Sequence, residues 1–266
     1  MPRLQGTAMK ELVEGGKLKR ADILLSRTKR SLLGFLIRFG TNSYWNHAFM
    51  IYVLRSPEQG YNTTFIIESG GAGIDIHNIS HYFERPDKYD VAVKRYEADW
   101  FQDDVGQGGS RYQRKVRGFA LSEIDDKYDH KLIITIARRF IRQVILGFMF
   151  PLQRRKKDPS QRKVMVQKVA GFNVNAYICS GFVQWAYYNG VGQALKEDNL
   201  DDSRLQEVIF NPRFPSPDLT PENGLLATTP ADLANSDKLS WKYIIKGGKV
   251  WEVAAKEEVD TILSSS

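Results

Sequence analysis

Five short apolar runs between residues 21 and 96 constrain this chain more than any other feature: Ala21–Leu25, Ala48–Leu54, Thr64–Glu68, Gly73–His77 and Asp90–Tyr96. Ala48–Leu54 is continuously apolar, which predicts a strand buried on both faces. Thr64–Glu68 and Gly73–His77 flank the turn Ser69-Gly70-Gly71 and read as a hairpin. In Asp90–Tyr96 the two-residue strand period puts Val91, Val93 and Arg95 on one face. One helix interrupts the strands, Ser31–Phe39, rich in Leu, Ile and Phe and ended by Gly40, a favourable residue at a helix C-terminus. Strand, helix, then a series of antiparallel-looking strands is the order of an α+β protein.

The rest of the chain changes character several times. Residues 1–20 read as a leader with a short helix at Met9–Val13. Glu97–Lys131 is polar, with a glycine-rich loop at 105–109 and a basic stretch of Arg111, Arg114, Lys115 and Arg117. Leu132–Phe150 is the most hydrophobic segment, yet Arg138, Arg139 and Arg142 share one arc opposite Ile133, Ile136, Phe140, Val144 and Phe148. Three central arginines argue against a membrane span, and Pro151 stops the helix before Arg154-Arg155-Lys156-Lys157. Tyr177–Asn189 carries Phe182, Trp185, Ala186 and Asn189 at helical spacing, with Gly190 at its end. Residues 196–224 read as loop. Thr229–Leu233 reads as a helical turn with Pro at its first position. Trp241–Ile245 and Lys249–Val253, joined by Gly247-Gly248, read as a closing hairpin. The expected organisation is a leader (1–20) and a single domain (21–260) carrying a basic helical insertion (97–170).

Hydrophobic residues make up 42% of the 266, enough for a sizeable core. The net charge of +7 is compatible with nucleic acid, anionic lipid or an acidic polymer. A single cysteine excludes an intramolecular disulfide and a thiolate metal cluster. Met1–Arg20 lacks the apolar core of a secretory signal, so the chain reads as cytoplasmic, with peripheral membrane association left open.

Three residues draw attention for chemistry. Cys179 falls almost at the start of its helical pattern, where unpaired N–H groups favour the reactive thiolate. A buried, inert core cysteine is the alternative. His47 stands where the polar loop Ser43–Asn46 turns into a buried strand, a rigid place for a general base; a histidine capping the strand end is the alternative. Glu68 ends the next apolar strand and reaches His47 if the two strands pair, the role of a third triad member. Asp75, His77 and His81 are rival partners. His77 alternates with Ile74 and Ile76, which suggests a surface role. His47, His77 and His81 fit no common zinc spacing, and no metal or cofactor is expected.

These segments together resemble a known family. Asp22-Ile23-Leu24 opening a strand, His47 beginning a second, Glu68 about twenty residues on, and Cys179-Ser180-Gly181-Phe182-Val183 opening a helix follow its order. The family is the permuted papain-like amidases, often called YiiX-like. They are the circularly permuted branch of the NlpC-type papain-like superfamily, related to lecithin:retinol acyltransferases. The resemblance covers residues 20–95 and 170–255, and 97–170 departs from it by being longer and more basic. It implies a circularly permuted papain-like fold, an antiparallel sheet or small barrel packed on the helix that carries the cysteine. It also implies acyl transfer through a thioester by a Cys179–His47–Glu68 triad, with the oxyanion near the Cys179 N–H.

The implied substrate is a peptide amide or a lipid acyl bond. Leu132–Lys157, apolar on one side and cationic on the other, has the composition of a helix lying on an anionic membrane surface. Two non-catalytic readings stand beside the enzyme: an inactive papain-like binding module and a membrane-surface lipid-binding protein. A nucleic-acid reading of Arg111–Arg117 and Arg154–Lys163 rests on charge alone.

Overall fold

The computed structural model describes residues 3–4, 8–54, 64–70, 73–102, 110–124, 174–215 and 220–265. Eight strands lie among them: β1 (Arg3–Leu4), β2 (Ile23–Thr28), β3 (His47–Val53), β4 (Phe65–Gly70), β5 (Gly73–Asn78), β6 (Tyr89–Arg95), β7 (Ser240–Lys246) and β8 (Lys249–Glu252). All belong to one antiparallel sheet in the order β1-β8-β7-β6-β2-β3-β4-β5. The helices are α1 (Leu32–Thr41), α2 (Ser80–Phe83), α3 (Asp99–Gln102), α4 (Arg111–Ser122), α5 (Val174–Glu197), α6 (Ser203–Glu207), α7 (Pro221–Leu226), α8 (Pro230–Asn235) and α9 (Lys256–Ser264). The protein is therefore mixed α+β, as the alternation of patterns predicts.

The two-residue strand period explains why the central strands are apolar throughout. On β2, Ile23 and Leu25 enter one core while Leu24 enters a second; on β3, Ala48 and Met50 enter the first while Phe49 and Ile51 enter the second. Val91 and Val93 share the second core with Leu24, and Ala92 sits in the first. Helices α4 and α5 cover the first core through Tyr112, Val116, Phe182, Val183 and Tyr187. Residues 8–18 and α2 cover the second.

That last point corrects the reading of residues 1–20 as a leader. A wide helical turn at Met9–Glu14 buries Leu12 and Val13, and Leu18 follows them under the sheet. Each fully buried aliphatic side chain stabilises by about 1.5–3 kcal/mol. β1 also pairs with β8. Periodicity misses this because six residues are too few to show a face.

Helix ends differ from expectation too. Ser31 caps α1 by accepting from the Gly34 N–H, but the helix passes Gly40 and stops at Asn42, which takes the left-handed conformation (φ 48°) and donates its N–H to the Arg38 carbonyl. α5 begins before Tyr177 and runs past Gly190 to Glu197. Gly190 is a contact point rather than a stop, since a Cβ there would sit 2.4 Å from Val116 Cα of α4. α4 itself lies in the tract read only as polar and basic. Its signature was available: Ser110 and Gln113 form a reciprocal capping box. Two short helices, α6 and α7, likewise interrupt the tract read as loop.

Both predicted hairpins are present, β4–β5 closed at Gly70 and Gly73 and β7–β8 closed by Gly247 and Gly248 with φ of +58° and +77°, a region glycine enters freely. Asp22, just before β2, receives both Nε and Nη2 of Arg95 from β6 at 2.7 Å, deep in the protein. The strongly amphipathic segment Leu132–Lys157, with its expected anionic membrane contact, lies outside the described residues, as does Arg154–Lys163.

Candidate active site

His47 is the first residue of β3, and Glu68 lies on the neighbouring β4. The strands pair with Met50 opposite Ile67 and Ile51 opposite Ile66. Extending that register by one residue sets Glu68 opposite Phe49, so its side chain lies diagonally from His47 on the same face of the sheet. The diagonal is closed by a contact of 2.5 Å between His47 Nε2 and Glu68 Oε2. The condition on which Glu68 was read as a partner, pairing of the two strands, is met.

Two further groups hold the carboxylate. The Tyr82 hydroxyl, from α2, donates to Glu68 Oε2 at 2.6 Å. On β5, His77 pairs with Ile66 and faces the same way, with its Nε2 3.3 Å from Glu68 Oε1. Tyr82 escaped the sequence reading because nothing local marks it; its meeting with Glu68 is made by the turn after β5. His77 is half-exposed, and it stands at the outer edge of the site rather than on a remote surface. Asp75 reaches His77 at 3.4 Å, and His81 Nε2 faces the Tyr89 hydroxyl at 3.3 Å. Glu68, not either of these rivals, is the carboxylate on His47.

Cys179 arrives from α5 and is 1% exposed. Its thiol hydrogen-bonds the His47 ring, and the N–H groups of Ala48 and Ser180 also lie against the sulfur. Since Nε2 is engaged by Glu68, Nδ1 is the ring nitrogen left for the sulfur. The position of α5 is set by short-range fits on either side of Cys179. A Cβ on Gly181 would sit 2.1 Å from the Leu226 carbonyl oxygen at the end of α7, so only glycine lets the two segments approach. Ser180 Oγ donates to the Thr228 carbonyl at 2.7 Å. Gln184 donates to the Val208 carbonyl at 2.8 Å and accepts the Phe210 N–H at 2.7 Å. The segment that receives α5 is itself fixed by the Thr229–Asp232 capping box at the start of α8, with Pro230 in the first turn as read from sequence.

One expectation about the cysteine is revised. α5 starts at Val174, so Cys179 lies in its second turn, beyond the first-turn N–H groups that lack intrahelical partners. Its activation therefore comes from a neighbour rather than from a helix terminus. Burial alone raises the Cys179 thiol, but the charge of His47 and its hydrogen bond outweigh this and hold the thiol below its ordinary value of 9.0. Burial alone lowers His47, and the Cys179 charge and hydrogen bond, joined by Glu68, reverse this and push the imidazole up to about 10. Burial raises Glu68, and hydrogen bonding and charge from His47, then Tyr82, bring it below the usual carboxylate value. Both directions favour a thiolate–imidazolium pair, with Nδ1 the ring nitrogen towards sulfur and Nε2 the one on the carboxylate. Such a pair is a nucleophile and an acid already charged for use.

Three residues of the basic stretch that suggested a nucleic-acid partner make contacts within the protein. Arg111 pairs with Glu197 at 2.8 Å and also with Asp198, Lys115 pairs with Glu197, and Arg117 donates to the Tyr52 carbonyl at 2.6 Å. Among the described residues no helix is long and apolar enough to cross a membrane. No family model matches the chain, and no curated protein matches it.

Proposed function

We propose that this chain is a cysteine hydrolase or acyltransferase of the circularly permuted papain-like kind. The observation that carries the reading is the continuous Cys179–His47–Glu68 contact, with the carboxylate held in turn by Tyr82. The order of β2, His47 on β3, Glu68 on β4 and Cys179 on α5 is also the order the family resemblance requires. The burial of Cys179, taken alone, favours a binding module that has kept the fold; the charged pair it forms with His47 favours the enzyme.

The chemistry follows from the charges. The Cys179 thiolate attacks the carbonyl carbon of an amide or ester, a C–S bond forms, and the carbonyl electron pair moves to oxygen. The Ala48 N–H beside the sulfur is a backbone donor at hand for that oxyanion, taking the part first assigned to the Cys179 N–H. As the C–N or C–O bond breaks, His47 Nδ1–H gives its proton to the leaving amine or alkoxide. The resulting thioester is opened by water or by an acceptor amine or hydroxyl, deprotonated by His47, and sulfur leaves as thiolate. Glu68 keeps Nε2 protonated and the ring in place throughout.

The test is a screen of activated esters, peptide amides and glycerolipid esters, with intact-mass analysis for an acyl adduct on the protein. The expected result is a thioester adduct in the wild type and none in Cys179→Ala, together with loss of turnover. Turnover that survives Cys179→Ala would exclude the proposal.

A further inference from the structure

We propose that the outer face of α1 is a docking surface for an anionic lipid bilayer. Leu32, Phe35 and Phe39 are 77%, 53% and 73% exposed, although they are large apolar side chains. Their spacing of three and four residues places them within one narrow arc of the helix, and the Phe35 and Phe39 rings stack with centroids 6.2 Å apart. From sequence this segment reads only as an apolar helix. The structure buries the other side, through Gly34 and Ile37.

The surrounding charge selects the occupant. Between Asp22 and Leu54 the chain contains no carboxylate but has Arg27, Lys29, Arg30 and Arg38. Arg30 is exposed directly before the helix cap Ser31. Lys29 is neutralised by Asp90 at 2.8 Å, and Arg38 is spent on Asn46 and the Thr28 carbonyl, both at 3.2 Å. An apolar stripe with the exposed Arg30 at its border suits a surface of acidic headgroups over hydrocarbon.

The attachment is rigid. Arg38 ties α1 to Asn46, the residue before His47, and Asn46 accepts the Thr28 N–H at 2.8 Å. A bilayer held by α1 therefore lies at the same end of β3 as the candidate site. The inference does not depend on catalysis, because Cys179→Ala should dock as the wild type does.

The experiment is co-sedimentation of the full chain with phosphatidylcholine vesicles, with and without phosphatidylglycerol. Leu32→Ser/Phe35→Ser/Phe39→Ser and Arg30→Glu are run beside the wild type, with thiol labelling of Cys179 and gel filtration as controls. The expected result is binding that requires phosphatidylglycerol and weakens at least about tenfold in the triple variant, since burying each such side chain contributes more than the free energy of one decade. Arg30→Glu should weaken it too, and Cys179 labelling should not change. As an independent check, Phe35→Cys in a Cys179→Ala background carries a polarity-sensitive label, which should report an apolar setting only with anionic vesicles. The proposal is overturned if the wild type does not bind. It is equally overturned if the triple variant binds as well as the wild type, which would place binding in Leu132–Lys157. A wild-type dimer that the triple variant dissolves would assign the face to a second copy and overturn it as well.

Discussion

Replacing His47 with Ala should convert Cys179 from a resting thiolate into an ordinary buried thiol, and the size of the change can be worked from the site. In the wild type the imidazole, pushed up to about 10 by the sulfur's charge and by Glu68, holds its proton at pH 7. In the proposed pair that proton is the one the sulfur has given up, which leaves Cys179 as thiolate. In the variant the burial that raises the thiol remains while the charge and hydrogen bond that lower it are gone, so the thiol titrates at or above 9.0. At two pH units below that, the thiolate fraction is at most about one per cent, roughly a hundredfold drop. A less basic thiolate is also a weaker nucleophile, by about 0.4–0.5 log units per unit of pKa, which takes back part of that drop in rate. Thiolate absorbance near 240 nm should therefore fall about a hundredfold at pH 7, and the alkylation rate should fall by less than that. The rate in the variant should climb about tenfold per pH unit up to pH 9, where the wild type is already flat. Removing the imidazole opens space beside Cys179, so greater access cannot account for a slower reaction in the variant. A wild-type rate that climbs towards pH 9 as the variant does would refute the charged pair and leave a structural cysteine.

Three further substitutions probe what holds the site. Tyr82→Phe removes a hydrogen bond to a charged carboxylate, about 1.5–3 kcal/mol, so turnover should fall ten- to a hundredfold. Tyr82 helps hold Glu68 below its usual range, so its loss should move the acidic limb of the pH–rate profile upwards; an unmoved limb would mean that Tyr82 only packs. Gly181→Ala forces a methyl group against the Leu226 carbonyl and should destabilise by about 1–3 kcal/mol. At about 2–4 °C for each of these, calorimetry should detect a lowered Tm, and an unchanged Tm would contradict the close approach of α5 and α7. Asp22→Asn leaves the Arg95 guanidinium buried without its counter-ion, a loss of about 3–5 kcal/mol. Urea unfolding should show a lower midpoint with an unchanged slope, and an unshifted midpoint would mean that water reaches Arg95.

Local pattern was enough for the elements whose physics is local. The apolar runs of β2 to β6, the glycine turns of both hairpins and the Thr229-Pro230 start of α8 are legible because strand period, left-handed glycine and helix capping act within a few residues. The candidacy of Cys179, His47 and Glu68 was legible from local pattern too, although only His47 stands at an element boundary, with Glu68 inside β4 and Cys179 in the second turn of α5. What joins them is the register of β3 on β4 and the seating of α5 against Leu226 and Thr228, contacts between residues far apart in the chain. Tyr82 and His77 enter the site by that route, and no neighbouring residue announces them. The source of the thiol's acidity was misread on the same ground: position in a helical pattern pointed to the terminus, whereas pairing with an imidazole is a tertiary event. Burial belongs to this second class as well. Leu12 and Leu18 look like leader and lie under the sheet, whereas Leu32, Phe35 and Phe39 read only as part of an apolar helix and face outwards. An amphipathic stripe sets which side chains act together, and only the completed packing decides whether that stripe is covered.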